Sequence, residues 1–119
     1  MKVLVVEDEP VLAISLQQLI ESLGHQVVQV VDTAEEATFA AAVHQPDIVF
    51  MDYQLQGPKT GADAARRIAE MYGAPIVFCT GQSDAASLAE IEATHPCATI
   101  SKPYTDLDIR TAIARFARH

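Results

Sequence analysis

The chain has 119 residues, half of them hydrophobic, which suits one domain with its own core and no disulfide or metal staple. Its formal charge is −8 and its eight Lys and Arg form no run, which argues against direct nucleic-acid partners and against an anionic membrane surface. No stretch approaches the roughly 20 apolar residues of a membrane span, MKVLVVEDEP is too short and acidic for a signal peptide, and Cys79 and Cys97 lack metal-ligand spacing, so a cytoplasmic protein with reduced thiols is expected.

Short apolar runs alternate with helical patterns along the whole chain. Lys2–Val6 is Val-rich and reads as a strand. Pro10 suits the first turn of a helix, and Leu12, Leu16, Leu19, Ile20 and Leu23 recur at helical spacing before a stop at Gly24. Gln26–Val31 reads as a second strand. Thr33 and Glu36 have capping-box spacing ahead of a helix of Ala and Phe39. Asp47–Met51 is a third strand. A loop with Gly57, Pro58 and Gly61 leads to a helix over Ala62–Tyr72 that ends at Gly73. Pro75–Cys79 is a fourth strand, Asp84–Ala93 a helix closed before Pro96, and Ala98–Ile100 a short fifth strand. The last helix follows Thr105, capped with Asp108, and is expected to bury Leu107, Ile109, Ile113 and Phe116.

Strands alternating with helices predict an α/β fold with a parallel sheet covered on both faces, as the continuous apolar strands require. Right-handed crossovers leave few topologies, of which the flavodoxin-like, doubly wound order 2-1-3-4-5 is the commonest with five strands. No linker or composition shift divides the chain, so residues 1–119 are expected to form one domain.

Four predicted strands run into polar groups: the first into Glu7, Asp8 and Glu9, the third into Asp52, the fourth into Thr80, and the fifth into Lys102. Ligands of open parallel sheets bind beyond the carboxyl ends of the strands, at the point where the strand order reverses. In the order 2-1-3-4-5 the first and third strands are neighbours there, so Glu7, Asp8 and Asp52 converge. Three carboxylates in one cleft repel each other unless a proton or cation enters, and an all-oxygen donor set suits Mg²⁺. An Asp can act as a nucleophile and take up a phosphoryl group, whose oxygens then need an ammonium (Lys102), a hydroxyl (Thr80) and the ion. Each residue alone has a plainer reading, as a turn, cap or solvated loop residue. Four strand ends agreeing in the right order make the joint pattern specific.

The segments VLVVEDEP, PDIVFMD, PIVFCTG and ISKPY resemble the receiver (CheY-like) domain of bacterial response regulators, over Met1 to about Arg118. The resemblance implies that Asp52 accepts a phosphoryl group from the phosphohistidine of a histidine kinase or histidine phosphotransfer protein. It implies that Asp8, Asp52 and the backbone carbonyl of Gln54 bind Mg²⁺ directly, with Glu7 acting through water. It also implies that Thr80 moves to the phosphoryl group, that Lys102 pairs with it, that the peptide before Pro103 is cis, and that a downstream protein reads the change. Receivers commonly carry Tyr or Phe where Thr99 stands, as the inward-swinging partner of the threonine. Thr99 lacks that bulk, and Tyr104 replaces the usual Phe. FCTG with Thr99 and KPY is similar to the atypical group of receivers named FATGUY.

Without that aromatic, the remaining route for a switch is order in the segment Gly81–Pro96, whose helix carries only Leu88 and Ile91 as large anchors. Gln54 and Gln82, two residues beyond Asp52 and Thr80, are expected to flank the path of an attacking water. Two other readings stand beside this one. A haloacid-dehalogenase-like phosphatase would need a second Asp where Gln54 stands and would carry its acid pair late in the chain. A pseudo-receiver that only docks would not need the whole pocket. The GPKTG segment lacks P-loop spacing. With no output segment after the last helix, a stand-alone regulator is expected.

Overall fold

The computed structural model describes residues 1–116, so the last three residues of the expected domain lie outside it. Ten elements alternate strictly: β1 (Lys2–Val6), α1 (Pro10–Ser22), β2 (Gln26–Val31), α2 (Ala34–His44), β3 (Ile48–Met51), α3 (Gly61–Met71), β4 (Ile76–Thr80), α4 (Ala85–Ala93), β5 (Ala98–Ser101) and α5 (Asp106–Phe116). The five strands form one parallel sheet in the order β2-β1-β3-β4-β5, the flavodoxin-like topology expected.

Strand alternation divides the core into two layers. Leu4, Val6, Val49, Met51 and Phe78 point to one face, where α2, α3 and Ile91 of α4 cover them. Val3, Val5, Phe50, Val77 and Cys79 point to the other, under Leu16 and Ile20 of α1 and Ile109 and Ile113 of α5. Burial on both faces explains why β1, β3 and β4 are continuous apolar runs. On α2 the buried positions Ala34, Ala37, Ala40 and Ala41 are all small, which lets its backbone lie close to the sheet. Its two larger apolar residues, Phe39 and Val43, face outward.

The element ends follow local chemistry. Gly24, at φ 89°, stops α1 in a conformation glycine takes without penalty. Thr60 and Asp63 form a full reciprocal capping box, so α3 starts at Gly61, one residue before the sequence pattern suggests. Thr33 caps α2 by accepting the Glu36 N–H at 3.0 Å, but the Glu36 carboxylate accepts the Thr33 hydroxyl at 3.1 Å and not its backbone N–H. Thr105 and Asp108 cap α5 reciprocally, as the sequence suggests. One expectation fails on that helix: Leu107 is 69% exposed. Ile109, Ala112 and Ile113 make the sheet-facing stripe, and Leu107, two residues from Ile109, lies about 200° round the helix from it. Phe116 is half-buried.

Gly61 is required by space. A Cβ there would overlap the Asp52 carbonyl oxygen and press on the Met51 side chain. The Gly61 N–H also donates to the Tyr53 carbonyl at 2.7 Å, so the start of α3 is pinned to the backbone around Asp52. Gly61→Ala is expected to lower stability by about 1–3 kcal/mol, as overpacking does, and to shift the amide signals of Asp52 and Tyr53. Denaturant unfolding and NMR chemical shifts check both; a variant unchanged in stability would contradict the packing.

Candidate functional site

Backbone pairing continues past the strand ends and sets the site. The Asp52 N–H donates to the Val6 carbonyl at 2.9 Å, and the Glu7 N–H to the Val31 carbonyl at 2.9 Å. Asp52 and Glu7 thus sit side by side where β1 and β3 diverge, the switch point of the sheet. The Lys102 N–H donates to the Thr80 carbonyl at 2.9 Å, which extends the β4–β5 pairing and aims Lys102 across the same opening. The Lys102–Pro103 peptide is cis.

Lys102 joins the two acids. Its ammonium donates to Glu7 Oε1 at 2.8 Å and to Asp52 Oδ2 at 3.0 Å. Glu7 and Asp52 are buried, while Asp8 is half-buried at the rim. Glu7, Asp8 and Asp52 each offer a carboxylate oxygen, and these oxygens lie within 4.8 Å of one another. One ammonium faces three carboxylates, so the cluster as drawn is short of positive charge. A hard cation with oxygen ligands fits that donor set.

The acids share the strain unequally. Burial, with Glu7 as the next cause, pushes the Asp52 carboxyl up to about 7 against the pull of Lys102. Burial also opposes the charge on Glu7, yet its bonds to Lys102, Asp52 and the Glu9 N–H leave it below its ordinary value. Asp8 is raised by burial and by Glu7. Burial works against the Lys102 ammonium, but the two carboxylates it bridges outweigh that and raise it. Behind the cluster, Cys79 is buried and its thiol is pushed up to about 12, which removes it as a nucleophile at neutral pH.

The remaining sequence-derived candidates divide. Thr80 is buried, and its hydroxyl accepts the Gln82 N–H at 3.0 Å within its own loop. Gln54 is exposed, and its side-chain carbonyl accepts from the Gln82 amide at 3.0 Å, so these two residues touch across the mouth. Thr99 is exposed on β5, away from the pocket interior. Tyr104 is half-buried against the α1–α5 layer; its hydroxyl has no partner among the described residues, and burial pushes it up to about 12.

Two features lay outside the sequence reading. Tyr53, directly after Asp52, donates its hydroxyl to Glu90 on α4 at 3.0 Å, and its ring packs on the α2–α3 layer. Gly61 closes against Asp52 as described above. Adjacency to Asp52 is the only signal that singles out Tyr53, and no spacing in the sequence points to Glu90.

The shifts imply a pH dependence. A carboxyl raised from 3.8 to about 7 stabilises the fold fully below its ordinary value, and that contribution is lost as pH rises through about 7. The lowered Glu7 acts oppositely, but below its own ordinary value of 4.5. Without divalent cation, the melting temperature is therefore expected to fall between about pH 5 and pH 8, and Asp52→Asn to flatten that slope. Thermal melts across this range check it; an unchanged slope in the variant would contradict the assignment to Asp52.

Comparison with known proteins agrees with the fold. The family model of the response regulator receiver domain matches residues 3–114. The phyllosphere-induced regulator PhyR of Methylorubrum extorquens is 30% identical over 115 residues, covering 96% of this chain and 42% of that protein. The transcriptional regulatory protein PdtaR of Mycobacterium tuberculosis is 31% identical over 119 residues, covering 97% and 58%. The chain thus spans about half the length of these curated relatives. In structure, the signal receiver domain of a modulated diguanylate cyclase from Desulfovibrio desulfuricans superposes with a TM-score of 0.91 at 32% identity, covering 97% of this chain and 91% of that one. The chain belongs to the receiver domain family of two-component response regulators.

Proposed function

We propose that Asp52 is the phosphoacceptor of this receiver, taking a phosphoryl group from the phosphohistidine of a histidine kinase or histidine phosphotransfer protein. The observation that carries this reading is the bridge of Lys102 between Glu7 and Asp52, with Asp8 completing a cluster of three acids. An Asp52 carboxylate oxygen attacks phosphorus, the Asp52 O–P bond forms as the histidine N–P bond breaks, and the imidazole leaves with the electron pair. Asp8, Asp52 and the Gln54 backbone carbonyl would hold Mg²⁺ directly, with Glu7 acting through water. When bound, the ion supplies the positive charge that three carboxylates and an incoming phosphoryl group need. Lys102 swings from the carboxylates to a phosphoryl oxygen, a short move for an ammonium already within 3.0 Å of Asp52. The Thr80 hydroxyl exchanges the Gln82 N–H for another phosphoryl oxygen. The chain catalyses only its own phosphorylation and dephosphorylation.

The signal needs an element with two states. Thr99 is exposed and small, so an inward aromatic swing from that position is excluded, in keeping with the atypical FATGUY-type pattern. We assign the coupling to α4, which buries only Ser87 and Ile91 and is tied to the loop after Asp52 through Tyr53 and Glu90. Tyr104, beside the phosphoryl-facing Lys102, belongs to the face that a downstream protein reads. Free Cys79 and Cys97 and the acidic surface favour a cytoplasmic protein that meets other proteins rather than nucleic acid or membrane. No helix among the described residues is long and apolar enough to cross a membrane.

Incubation with a small phosphodonor and Mg²⁺, followed by intact mass spectrometry, tests the acceptor. One phosphoryl mass is expected on the wild type and none on Asp52→Ala; a gain that survives the substitution would sink the assignment. Hydrogen exchange tests the switch. Protection of Gly81–Pro96 is expected to rise when a phosphate mimic is added, and Tyr53→Phe is expected to lower protection of α4 without stopping phosphorylation. Equal protection in all states would leave α4 outside the signal.

A further inference from the structure

A groove of about 700 Å³ lies between α2 and α3, and none of its lining belongs to the acidic cluster. We propose that this groove is a two-fold interface whose occupant is a second copy of the same chain.

Exposure comes first. Phe39 stands at the lip of the groove and is 71% exposed, the most exposed aromatic side chain among the large hydrophobics of the described residues. Met71 across the groove is 44% exposed, and Val43, one turn along α2 from Phe39, is 59% exposed. A protruding aromatic beside an open apolar groove marks a contact surface rather than a scattered surface residue.

Charge identifies the partner. The lining carries three acids, Glu35, Asp63 and Glu70, and three bases, Lys59, Arg66 and Arg67. The patch is neutral, while the chain carries −8. Two copies repel each other over the rest of their surfaces and can approach without net repulsion here. The signs are also sorted by wall. The acid on the α2 wall is Glu35, whereas α3 and its approach carry all three bases against two acids, Glu70 and the Asp63 already bonded to Arg66, and keep a net positive charge. A two-fold axis through the groove lays the α2 wall of each copy on the α3 wall of the other. It brings Glu35 to the basic side and seats each Phe39 in the other groove. Knob and hole on one patch are what an isologous contact requires. An unrelated helix would need no such self-complementarity.

Sedimentation velocity over a wide concentration range, at low salt, tests the proposal. A shift from the monomer mass of 12.9 kDa to twice that value is expected as concentration rises. Phe39→Glu and Arg67→Glu are each expected to weaken the dimer on the order of tenfold or more, as buried aromatic and Arg anchors do. Both positions are exposed, so both variants should keep the wild-type circular dichroism spectrum. Leu107→Glu, which alters an exposed apolar residue on α5, should leave the dimer unchanged. A wild type that stays monomeric at the highest concentration would mean that the groove serves another partner or none, and would overturn the proposal. So would a dimer that survives Phe39→Glu or is lost in Leu107→Glu.

Discussion

The contact on which the site depends is the Lys102 ammonium held between Glu7 and Asp52. It joins residues 95 and 50 positions apart, from opposite ends of the chain and from its middle. Burying Glu7 and Asp52 together costs several kcal/mol for each charged carboxylate, and in the absence of a cation this ammonium offsets part of that cost. With one ammonium the cluster forms but is not neutral, because Asp8 adds a third carboxylate at the rim. Burial first, and Glu7 next, raise the Asp52 carboxyl in this cluster despite the pull of Lys102. On the proposed reading, a cation or a phosphoryl group with its cation would enter a site whose carboxylates already converge.

The sheet exists to hold this contact. Parallel pairing brings the carboxyl ends of β1, β3, β4 and β5 to one edge, and backbone hydrogen bonds beyond the strands fix Glu7, Asp52 and Lys102 in register. Gly61 lets α3 start hard against the Asp52 backbone. By contrast, α4 shows the sheet little apolar surface and is tied to the site by polar contacts through Tyr53. A rigid centre beside a weakly held helix is the arrangement a switch needs, because local opening is drawn from the least buried elements.

Much of this was legible in the residues. The five apolar runs, the strict alternation with helices and the polar residue ending each inner strand specify both topology and acidic cluster, because burial on two faces leaves a strand few alternatives. The cap at Thr105 is equally local and was read, whereas the Thr60 cap was missed and α3 was started one residue late. Leu107 was misread because a helix start places several apolar residues close in sequence but on different faces, and only the packing chooses among them. The Tyr53–Glu90 and Gln54–Gln82 contacts join segments 37 and 28 residues apart, and such tertiary pairs leave no periodic trace. Phe39 read as helix, but its outward placement follows from the alanines that claim the inner face of α2.

On the proposed reading, three carboxylates facing one ammonium form a cation site completed by Asp8 and independent of Lys102. Calorimetric titration of Mg²⁺ into the wild type, Asp8→Ala and Lys102→Ala at mildly alkaline pH measures this directly. One saturable site is expected in the wild type, none in Asp8→Ala, and binding at least as tight in Lys102→Ala, where a competing positive charge is gone. Saturable binding that persists unchanged in Asp8→Ala, or a wild type that binds no Mg²⁺, would rule out a cation site at these residues.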